Sequence, residues 1–347
     1  MHWTIAAPFI HNPEVDGDWL IPYIPGNRHQ FSIVPHSEPL ANWHNKSASV
    51  TSYRQWLKYL DQAKEAVHQT KGGIITVFPQ LASAVGIHQQ LARKQIPIVA
   101  WLFNVGVCYP GVRRKLAQLS LKNVSHFVVH TRRECEIYSQ WLGFPKERFE
   151  FIPYQSAEIP VIYEENETNP FIVAIGSAHR DFPTLFEVVE KLNLPTVVAS
   201  GPRSLAGLSI PSQVQTPFGI GKKDCLRLAQ EARINVIPLR PDDLVTAAGQ
   251  VTIVETMRMG RAIIATRCNG AEDYIIHGET GLLVEPQSAE DLKQAIEMLW
   301  NDATLRNRLG QAAQQYASEH FSDQAVGRSL GKILNHLADS YSCETPP

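Results

Sequence analysis

The chain has 347 residues, of which 44% are hydrophobic and 19% are charged, and its formal net charge is −2. This composition is typical of a globular rather than a disordered chain, and the length exceeds what one hydrophobic core usually organises. The near-neutral charge argues against nucleic-acid binding as the main function.

The N-terminus has no basic region ahead of its short apolar run, and no run of about 18–20 apolar residues follows, so neither a signal peptide nor a membrane span is predicted. The five cysteines form no CxxC motif, which favours a reducing, cytoplasmic compartment. The 13 histidines are scattered without HExxH spacing, so we expect no metal site.

The N-terminal half alternates apolar strands with helical patterns. Its predicted strands are WTIAAPF (3–9), GGIITVF (72–78), IPIVAWLF (96–103) and HFVVHT (126–131), and its predicted helices are YRQWLKYLDQAKEAVHQ (53–69), ASAVGIHQQLARK (82–94) and RRECEIYSQWLGF (132–144). A basic amphipathic helix is predicted within YPGVRRKLAQLSLKN (109–123).

The alternation of predicted strands and helices is clearer in the C-terminal half. Strands are predicted at FIVAIG (171–176), PTVVAS (195–200), INVIPL (234–239) and AIIAT (262–266), with helices at 182–194, 222–233, 251–259, 288–300, 305–321 and about 323–338. Strands and helices that alternate at this spacing indicate βαβ units and parallel sheets.

The acidic, proline-containing segment EIPVIYEENETNP (158–170) marks the junction between two domains. The predicted fold class is therefore α/β, with two doubly wound, Rossmann-like domains over residues 1–160 and 161–322, and a C-terminal helix and tail over 323–347 that could cross back to the first domain. Such domains bind ligands at the carboxyl ends of their strands, so we expect a ligand site facing a cleft between them.

Neither half carries GxGxxG after its first strand or a P-loop, so the chemistry must be sought at other strand ends. The first strand of the second half ends in GSAHRD, where Gly176 and Ser177 give a flexible loop and Arg180 precedes a helix. Arginine at this place is suited to a forked contact with a diphosphate, whereas the alternative is a surface pair with Asp181. The GKK sequence at 221–223 lacks a glycine-rich loop and is interpreted as solvated charge.

Glu255 is the sole acidic residue of the apolar stretch AAGQVTIVETMRMGRAIIAT (247–266). A helix that begins near Gly249 places this carboxylate close to the positive end of the helix dipole. A buried carboxylate needs donors, and vicinal ribose hydroxyls would supply two. The alternative is a half-exposed glutamate near Arg258.

The segments GQVTIVETMRMGRAIIAT, NGAEDYI and HGETGLLV resemble the C-terminal half of GT-B glycosyltransferases of family 4, which are retaining enzymes that use nucleotide-sugars. The segment HFVVHTRRECEIYSQWLGFPKERFEFIPY resembles the end of their N-terminal domain, whereas residues 1–70 match only in general character.

This resemblance implies that Glu255 holds the donor ribose, that Arg180 binds the diphosphate, and that both are the catalytic residues. It also implies a retaining transfer of the sugar to an acceptor hydroxyl of a glycan, lipid or small molecule, with no metal and no cofactor. The implied donor-binding residues are Gly176, Ser177, Gly201, Gly249, Gln250, Val251, Thr252, Asn269, Gly270 and Ala271, with Asn104 on the acceptor side.

Three positions depart from the family pattern. The first of two glutamates that the family spaces eight residues apart falls at Ala247, which leaves the backbone amides or Gln250 for its task. Ser177 stands where the family has a phosphate-binding arginine, and Asn104 where a histidine is frequent. These departures keep a second hypothesis open, a non-catalytic GT-B protein that binds a nucleotide-sugar or glycan or acts as a partner subunit. A sugar-nucleotide epimerase is disfavoured, because placed acid–base residues are missing.

The predicted location is cytoplasmic. The basic helix at 109–123 leaves peripheral contact with the cytoplasmic membrane face open, and a helix at the domain surface is the equally favoured alternative.

Overall fold

The computed structural model describes residues 1–37, 51–242 and 246–344, so residues 345–347 of the expected tail lie outside it. The chain divides into two compact units. Unit 1 comprises Met1–Ile152 together with the segment from Gln324 onward, and unit 2 comprises Pro153–Asp323. Each unit is built on one parallel six-stranded sheet.

The sheet of unit 1 has the order β2-β1-β3-β4-β5-β6. Its central strands are buried on both faces, as expected where helices cover a parallel sheet. The strands are β1 (His2–Ala6), β2 (Gln30–Val34), β3 (Gly73–Val77), β4 (Ile98–Trp101), β5 (His126–Val129) and β6 (Phe149–Phe151).

Local signals set the helix starts of unit 1. Ser52 with Gln55, and Thr131 with Glu134, form capping boxes ahead of two long helices, and Gly143 closes the second of them in the left-handed region. The helices are α1 (Pro13–Asp16), α2 (Tyr53–Gln69), α3 (Pro79–Leu91), α4 (Val112–Leu121) and α5 (Arg132–Leu142).

Unit 2 repeats this architecture with the strand order β12-β11-β10-β7-β8-β9. The strands are β7 (Ile172–Ile175), β8 (Thr196–Ala199), β9 (Val214–Gln215), β10 (Ile234–Ile237), β11 (Ile263–Thr266) and β12 (Leu282–Val284). The helices are α6 (Phe182–Leu192), α7 (Pro202–Leu205), α8 (Lys222–Glu231), α9 (Gln250–Arg258), α10 (Ala289–Asn301) and α11 (Ala303–His320). Asp181, Ser288 and Asp302 cap α6, α10 and α11 through side-chain oxygens.

The order of strands in unit 2 reverses direction between β7 and β10. The chain leaves β7 for β8 and β9 on one side, and later places β10, β11 and β12 on the other side. The carboxyl ends of β7 and β10 therefore flank a topological switch point, where open α/β sheets bind their ligands.

The last helix, α12 (Asp323–Glu344), extends six residues beyond its predicted end near residue 338. Its apolar stripe packs into the core of unit 1, where Leu330 and Leu334 join Trp3, Ile5 and Val77. Gly327 lets this helix approach closely, because a Cβ there would lie 2.8 Å from the backbone oxygen of Tyr23.

The predicted strands are confirmed at eight places. Seven are shorter than predicted by one to four residues, and β1 begins one residue earlier and ends three residues earlier than predicted, whereas β2, β6, β9 and β12 were not predicted. Among the described residues, no helix combines the length and apolar character needed to cross a bilayer.

Candidate functional site

The loops that follow β7 and β10 are joined at the switch point of unit 2. Arg180 forms an isolated antiparallel bridge with Leu239. The backbone N–H of Asp181 donates to the carbonyl of Pro238 at 2.8 Å, and that of Arg240 donates to the carbonyl of His179 at 2.9 Å. These contacts fix the position of the GSAHRD loop at the carboxyl edge of the sheet.

The Arg180 guanidinium packs against its own loop. It donates to the carbonyls of Ile175 at 3.1 Å and Ala178 at 2.8 Å, and reaches the Thr252 hydroxyl at 3.4 Å. Burial lowers its pKa to about 10, so the side chain stays charged at neutral pH. A Cβ on Gly176, whose φ is +105°, would lie 2.4 Å from the guanidinium, so the loop needs glycine here.

The alternative pairing of Arg180 with Asp181 is wrong. The Asp181 carboxylate accepts from the backbone N–H of Thr184 at 3.3 Å and from its hydroxyl at 2.7 Å. Asp181 is therefore the N-cap of α6, and Arg180 is directed toward α9 instead.

Glu255 has an ionic partner that the sequence analysis missed. Its carboxylate forms an ion pair with the ammonium of Lys222, the first residue of α8. The Glu255 side chain is 18% exposed and that of Lys222 is 47% exposed. The interpretation of GKK as solvated charge is thus wrong for Lys222. The alternative of a half-exposed glutamate near Arg258 is not what the structure shows, because the Glu255 side chain is mostly buried and Arg258 donates to the Ser318 hydroxyl at 2.9 Å.

Lys222 did carry a signal in the sequence. Lysine at the first position of a helix lies at the positive end of the helix dipole, where cations are unfavourable. A lysine there calls for a negative partner; the first turn of α8 contains Asp224, and the ion pair forms with Glu255.

The start of α9 exposes backbone donors. Gly249 is its N-cap, with φ at +92° and no side-chain hydrogen bond to the helix. The first-turn N–H groups, those of Gln250, Val251 and Thr252, therefore have no intrahelical acceptors, and Val251 is 42% exposed. Gln250 was considered as a substitute for the missing glutamate, but its side chain is buried and donates to the carbonyl of Asn269 at 2.7 Å.

The loop after β11 supports this helix start. Asn269 is fully buried with φ at +53°, and its amide donates to the carbonyl of Arg240 at 2.9 Å. Gly270, with φ at +86°, precedes a short 3-10 helix at Ala271–Asp273. The structure thus brings the predicted residues Asn269, Gly270 and Ala271 next to the N-terminus of α9.

Ser177 and Gly201 connect the loops after β7 and β8. The backbone N–H of Gly201 donates to the Ser177 hydroxyl at 2.7 Å, and the Ser200 hydroxyl donates to it at 3.1 Å. Ser177 therefore joins two loops at the position where the family pattern has a cation.

Two further residues near the site were missed. His179 has φ at +54°, its Nδ1 is buried without a hydrogen-bond partner among the described residues, and burial lowers its pKa. Burial raises the pKa of the Tyr154 phenol, and the charges of Glu255 and Asp323 raise it further. His179 lies in the GSAHRD loop and Tyr154 ends the segment that resembles the family, but only the fold reveals their burial and the charges near them.

In unit 1, Asn104 lies in the exposed loop after β4. Its side-chain oxygen accepts from the backbone N–H of Gly106 at 2.7 Å, and Tyr138 holds the same loop by accepting from the N–H of Val105 at 3.0 Å. Asn104 therefore shapes the loop through its side-chain oxygen.

An aromatic cluster occupies the carboxyl edge of the same sheet. Phe9 lies 6.5 Å from Phe78 and 6.3 Å from Trp19, and Trp19 lies 5.9 Å from Trp101, all measured between ring centroids. Phe78 has φ at +73°, and the Trp101 indole nitrogen is buried without a hydrogen-bond partner among the described residues. Strained backbone beside a strand end is typical of binding sites.

Residues 185–302 match the family model of glycosyl transferases group 1. The chain is 30% identical over 102 residues to the alpha-D-kanosaminyltransferase of Streptomyces kanamyceticus, covering 29% of this chain and 25% of that protein. It is 28% identical over 207 residues to the N,N'-diacetylbacillosaminyl-diphospho-undecaprenol alpha-1,3-N-acetylgalactosaminyltransferase of Campylobacter jejuni, covering 56% and 53% of the two chains. The chain spans about a quarter of the length of most curated relatives it matches.

Two solved structures match nearly the whole chain. Anabaena Alr3699/HepE in complex with UDP has a TM-score of 0.66 at 14% identity, covering 97% of this chain and 100% of that one. Sucrose-phosphate synthase from Thermosynechococcus elongatus has a TM-score of 0.69 at 16% identity, covering 98% and 100%. At this identity the likeness concerns the fold. The chain therefore has the two-domain α/β fold of GT-B glycosyltransferases, and the match over residues 185–302 confirms the resemblance that was inferred from sequence.

Proposed function

We propose that the chain is a retaining glycosyltransferase that moves a sugar from a nucleoside-diphosphate sugar to an acceptor hydroxyl. One observation carries this proposal: Arg180, Lys222 and Glu255 meet along the first two turns of α9, beside an N-terminus without a side-chain cap. The group 1 domain over residues 185–302 supports the reaction class. The UDP and UDP-glucose found in Alr3699/HepE support the donor class.

The donor half of the proposal assigns one chemical task to each charge. Glu255 accepts hydrogen bonds from the two ribose hydroxyls, after it has released Lys222. Arg180 and the amides at the start of α9 bind the diphosphate. Thr252 and Glu255 are three residues apart, about one helical turn, so the contacts with Arg180 and Lys222 lie within roughly 5 Å along the helix axis.

Lys222 then supplies the second cation of the diphosphate site. Ser177 holds the loop where the family pattern has an arginine, and Lys222 reaches the same helix from α8. Gly176, Gly201 and the Asn269–Gly270–Ala271 loop line the pocket at places where the backbone can approach a ligand.

Catalysis in this proposal is electrostatic. As the bond between the sugar and the diphosphate breaks, negative charge grows on the leaving oxygen, and Arg180, Lys222 and the helix amides stabilise it. The acceptor hydroxyl attacks the face that the diphosphate leaves, and its proton passes to the leaving diphosphate oxygen. No protein nucleophile, metal or cofactor is assigned.

The acceptor half of the proposal is placed on unit 1. Aromatic rings such as Phe9 and Phe78 offer flat apolar faces against which a sugar ring or a lipid chain can pack. The acceptor class is therefore a glycan, a lipid-linked glycan or a small molecule, not a nucleic acid. The location we propose is cytoplasmic, with contact to the membrane face through 109–123.

A donor screen tests the proposal. Thermal unfolding is measured with UDP, GDP and ADP and their glucose conjugates, on wild type and on Glu255→Ala and Arg180→Ala. The preferred nucleotide should raise the Tm of wild type and fail to raise it in both variants. Glu285→Ala is the matched control, since its carboxylate pairs with Arg267 at an exposed surface and should leave the Tm increase unchanged. Equal increases in all four proteins would overturn the assignment of the site.

A non-catalytic GT-B protein is the second candidate, and Ala247 is the observation that favours it. This position precedes α9 and has no carboxylate to address the donor sugar. Release of nucleoside diphosphate from the stabilising donor, measured with and without glycan acceptors, separates the two. Turnover above the buffer rate supports the transferase, and saturable binding without any turnover supports the second candidate.

A further inference from the structure

The strongest feature outside the donor site is a charge imbalance in unit 1. Residues 66–133 contain nine lysines and arginines and no aspartate or glutamate. Residues 1–152 hold 16 basic and 10 acidic residues, whereas residues 153–347 hold 16 basic and 24 acidic ones. The near-neutral total thus conceals a basic N-terminal part, and a basic surface attracts anionic partners.

The helix α4 carries an exposed apolar stripe in the middle of this segment. Val112, Leu116 and Leu119 follow the spacing i, i+4, i+7, and they are 72%, 60% and 58% exposed. Side chains at this spacing share one face of a helix. A stripe of three exposed aliphatic side chains on one helix face marks a surface that contacts a partner.

Basic residues border the stripe on both sides. At about 100° per residue, Lys115 and Lys122 lie on one side of the stripe and Arg113 lies on the other. Arg113 stacks on Tyr109 with its guanidinium carbon 4.5 Å from the ring centroid, so the exposed Tyr109 extends the same surface.

Arg114 has a different role. It lies on the opposite side of α4, and donates to the carbonyls of Gln140 and Trp141 on α5 at 3.0 and 2.5 Å. This contact fixes the orientation of α4 on unit 1, so that the stripe and its three basic residues face outward together.

The helix α3 adds to the surface. It packs against α4 through Gly86, where a Cβ would lie 1.9 Å from the carbonyl of Ser120, and through Gln90, which donates to the carbonyl of Leu119 at 2.8 Å. The next residues in sequence, Ile87 and Leu91, are 38% and 74% exposed. Arg93, which follows Leu91 by two residues, is exposed as well.

We propose that this α3–α4 surface, formed by Ile87, Leu91, Arg93, Tyr109, Val112, Arg113, Lys115, Leu116, Leu119 and Lys122, docks on an anionic lipid bilayer. The aliphatic stripe enters the headgroup boundary and the flanking cations pair with lipid phosphates. Charge complementarity identifies the occupant, because a stripe with cations on both sides, in a segment of the sequence without acidic residues, fits a continuous anionic plane. This proposal extends the proposed function and rests on it, because a lipid-linked glycan is one of the acceptors proposed there.

Vesicle co-sedimentation of the full chain tests the surface. The probes are phosphatidylcholine vesicles with and without phosphatidylglycerol, at low and high salt. Wild type should bind the anionic vesicles and lose this binding at high salt. Each cation near a membrane contributes on the order of fivefold to the partition coefficient, so the variant Arg113→Gln/Lys115→Gln/Lys122→Gln should bind roughly a hundredfold less.

Two further variants separate the causes. Leu116→Gln/Leu119→Gln should also lose binding, because it removes the aliphatic side chains that enter the headgroup boundary. Binding that survives this change would indicate a purely electrostatic contact. Lys191→Gln/Arg267→Gln/Lys293→Gln removes three exposed cations of unit 2 from weak surface pairs, so its binding should equal that of wild type.

Three outcomes overturn the proposal. Wild type could fail to bind anionic vesicles, the triple α4 variant could bind as wild type does, or the apolar variant could abolish a self-association seen by sedimentation velocity without vesicles. The Tm increase with nucleotide is measured on every variant. An unchanged increase alongside lost vesicle binding separates failure of this surface from failure of the donor site.

Discussion

The replacement Lys222→Gln tests the proposed donor site most sharply, because Lys222 has a different partner in the free chain. In the free chain its ammonium pairs with Glu255, and in the donor complex we expect it to bind the diphosphate. The Lys222 side chain is 47% exposed, so breaking the pair should change stability by less than about 1 kcal/mol. The fold of the variant is therefore expected to remain intact.

The effect on nucleotide binding should be larger. A hydrogen bond to a charged group is worth about 1.5–3 kcal/mol, and up to about 1 kcal/mol is spent on releasing Glu255. When the full ~1 kcal/mol is spent, the remaining ~0.5–2 kcal/mol corresponds to a roughly two- to thirtyfold increase in the Kd for UDP. Uridine lacks the diphosphate, so its affinity should stay equal or rise, because Glu255 no longer has a competing partner.

Isothermal titration of wild type and variant with UDP and uridine measures this difference. Lys223→Gln is the matched control, since it removes the same charge one position later, from a residue with no ion pair among those described here for unit 2. An unchanged UDP affinity in Lys222→Gln would refute the reasoning. An equal loss of UDP affinity in both variants would show that the effect comes from the local net charge and not from a specific contact of Lys222.

Three other changes probe the fold. Gly176→Ala forces a side chain into a conformation at φ +105°, which costs about 1–3 kcal/mol, and an unaltered denaturation midpoint would contradict the packing of this loop. Burial lowers the pKa of His130 from 6.5 to about 4. At pH values between these two, the unfolded chain therefore binds a proton that the folded chain does not. The free energy of unfolding should fall by about 3 kcal/mol for this residue as the pH drops through that range, and His130→Gln should show a smaller fall in urea titrations. Arg306→Met leaves Glu165 with Arg233 alone, and should cost on the order of 2 kcal/mol in the same assay; a loss below experimental error would show that the second ion pair suffices.

Much of the fold could be predicted from sequence, because βαβ rhythm is a local property. The helix over residues 53–69 was located to the residue, and the structure adds a capping box of Ser52 and Gln55 at its start. The strand β9 has two residues and β6 and β12 have three, too few to show a period. The order of strands, and with it the switch point between β7 and β10, depends on pairing between distant segments, which no local pattern encodes.

The candidate site was predicted in its positions but not in its contacts. Arg180 and Glu255 were selected because each lies at a strand end or helix start, which sequence can indicate. Their partners are far away along the chain: Thr252 is 72 residues from Arg180, and Lys222 is 33 residues from Glu255. The direction of a long side chain follows from neighbours that the fold alone brings together, so Lys222 was taken for a solvated charge.

The charges around α8 and α9 explain why a ligand with more than one negative charge fits the site. Lys222 begins α8, at the positive end of its dipole, and Arg180 lies against the start of α9 at the positive end of a second dipole. The Glu255 carboxylate pairs with the Lys222 ammonium, whereas the Arg180 guanidinium donates to uncharged carbonyl and hydroxyl oxygens. A neutral nucleoside would leave the imbalance as it is, whereas a diphosphate would correct it and free Glu255 for the ribose. The affinity of the site should therefore rise from uridine to UMP to UDP, and added salt should reduce the affinity for UDP most. An affinity for uridine equal to that for UDP, at low salt, would show that these charges serve the fold and not the ligand.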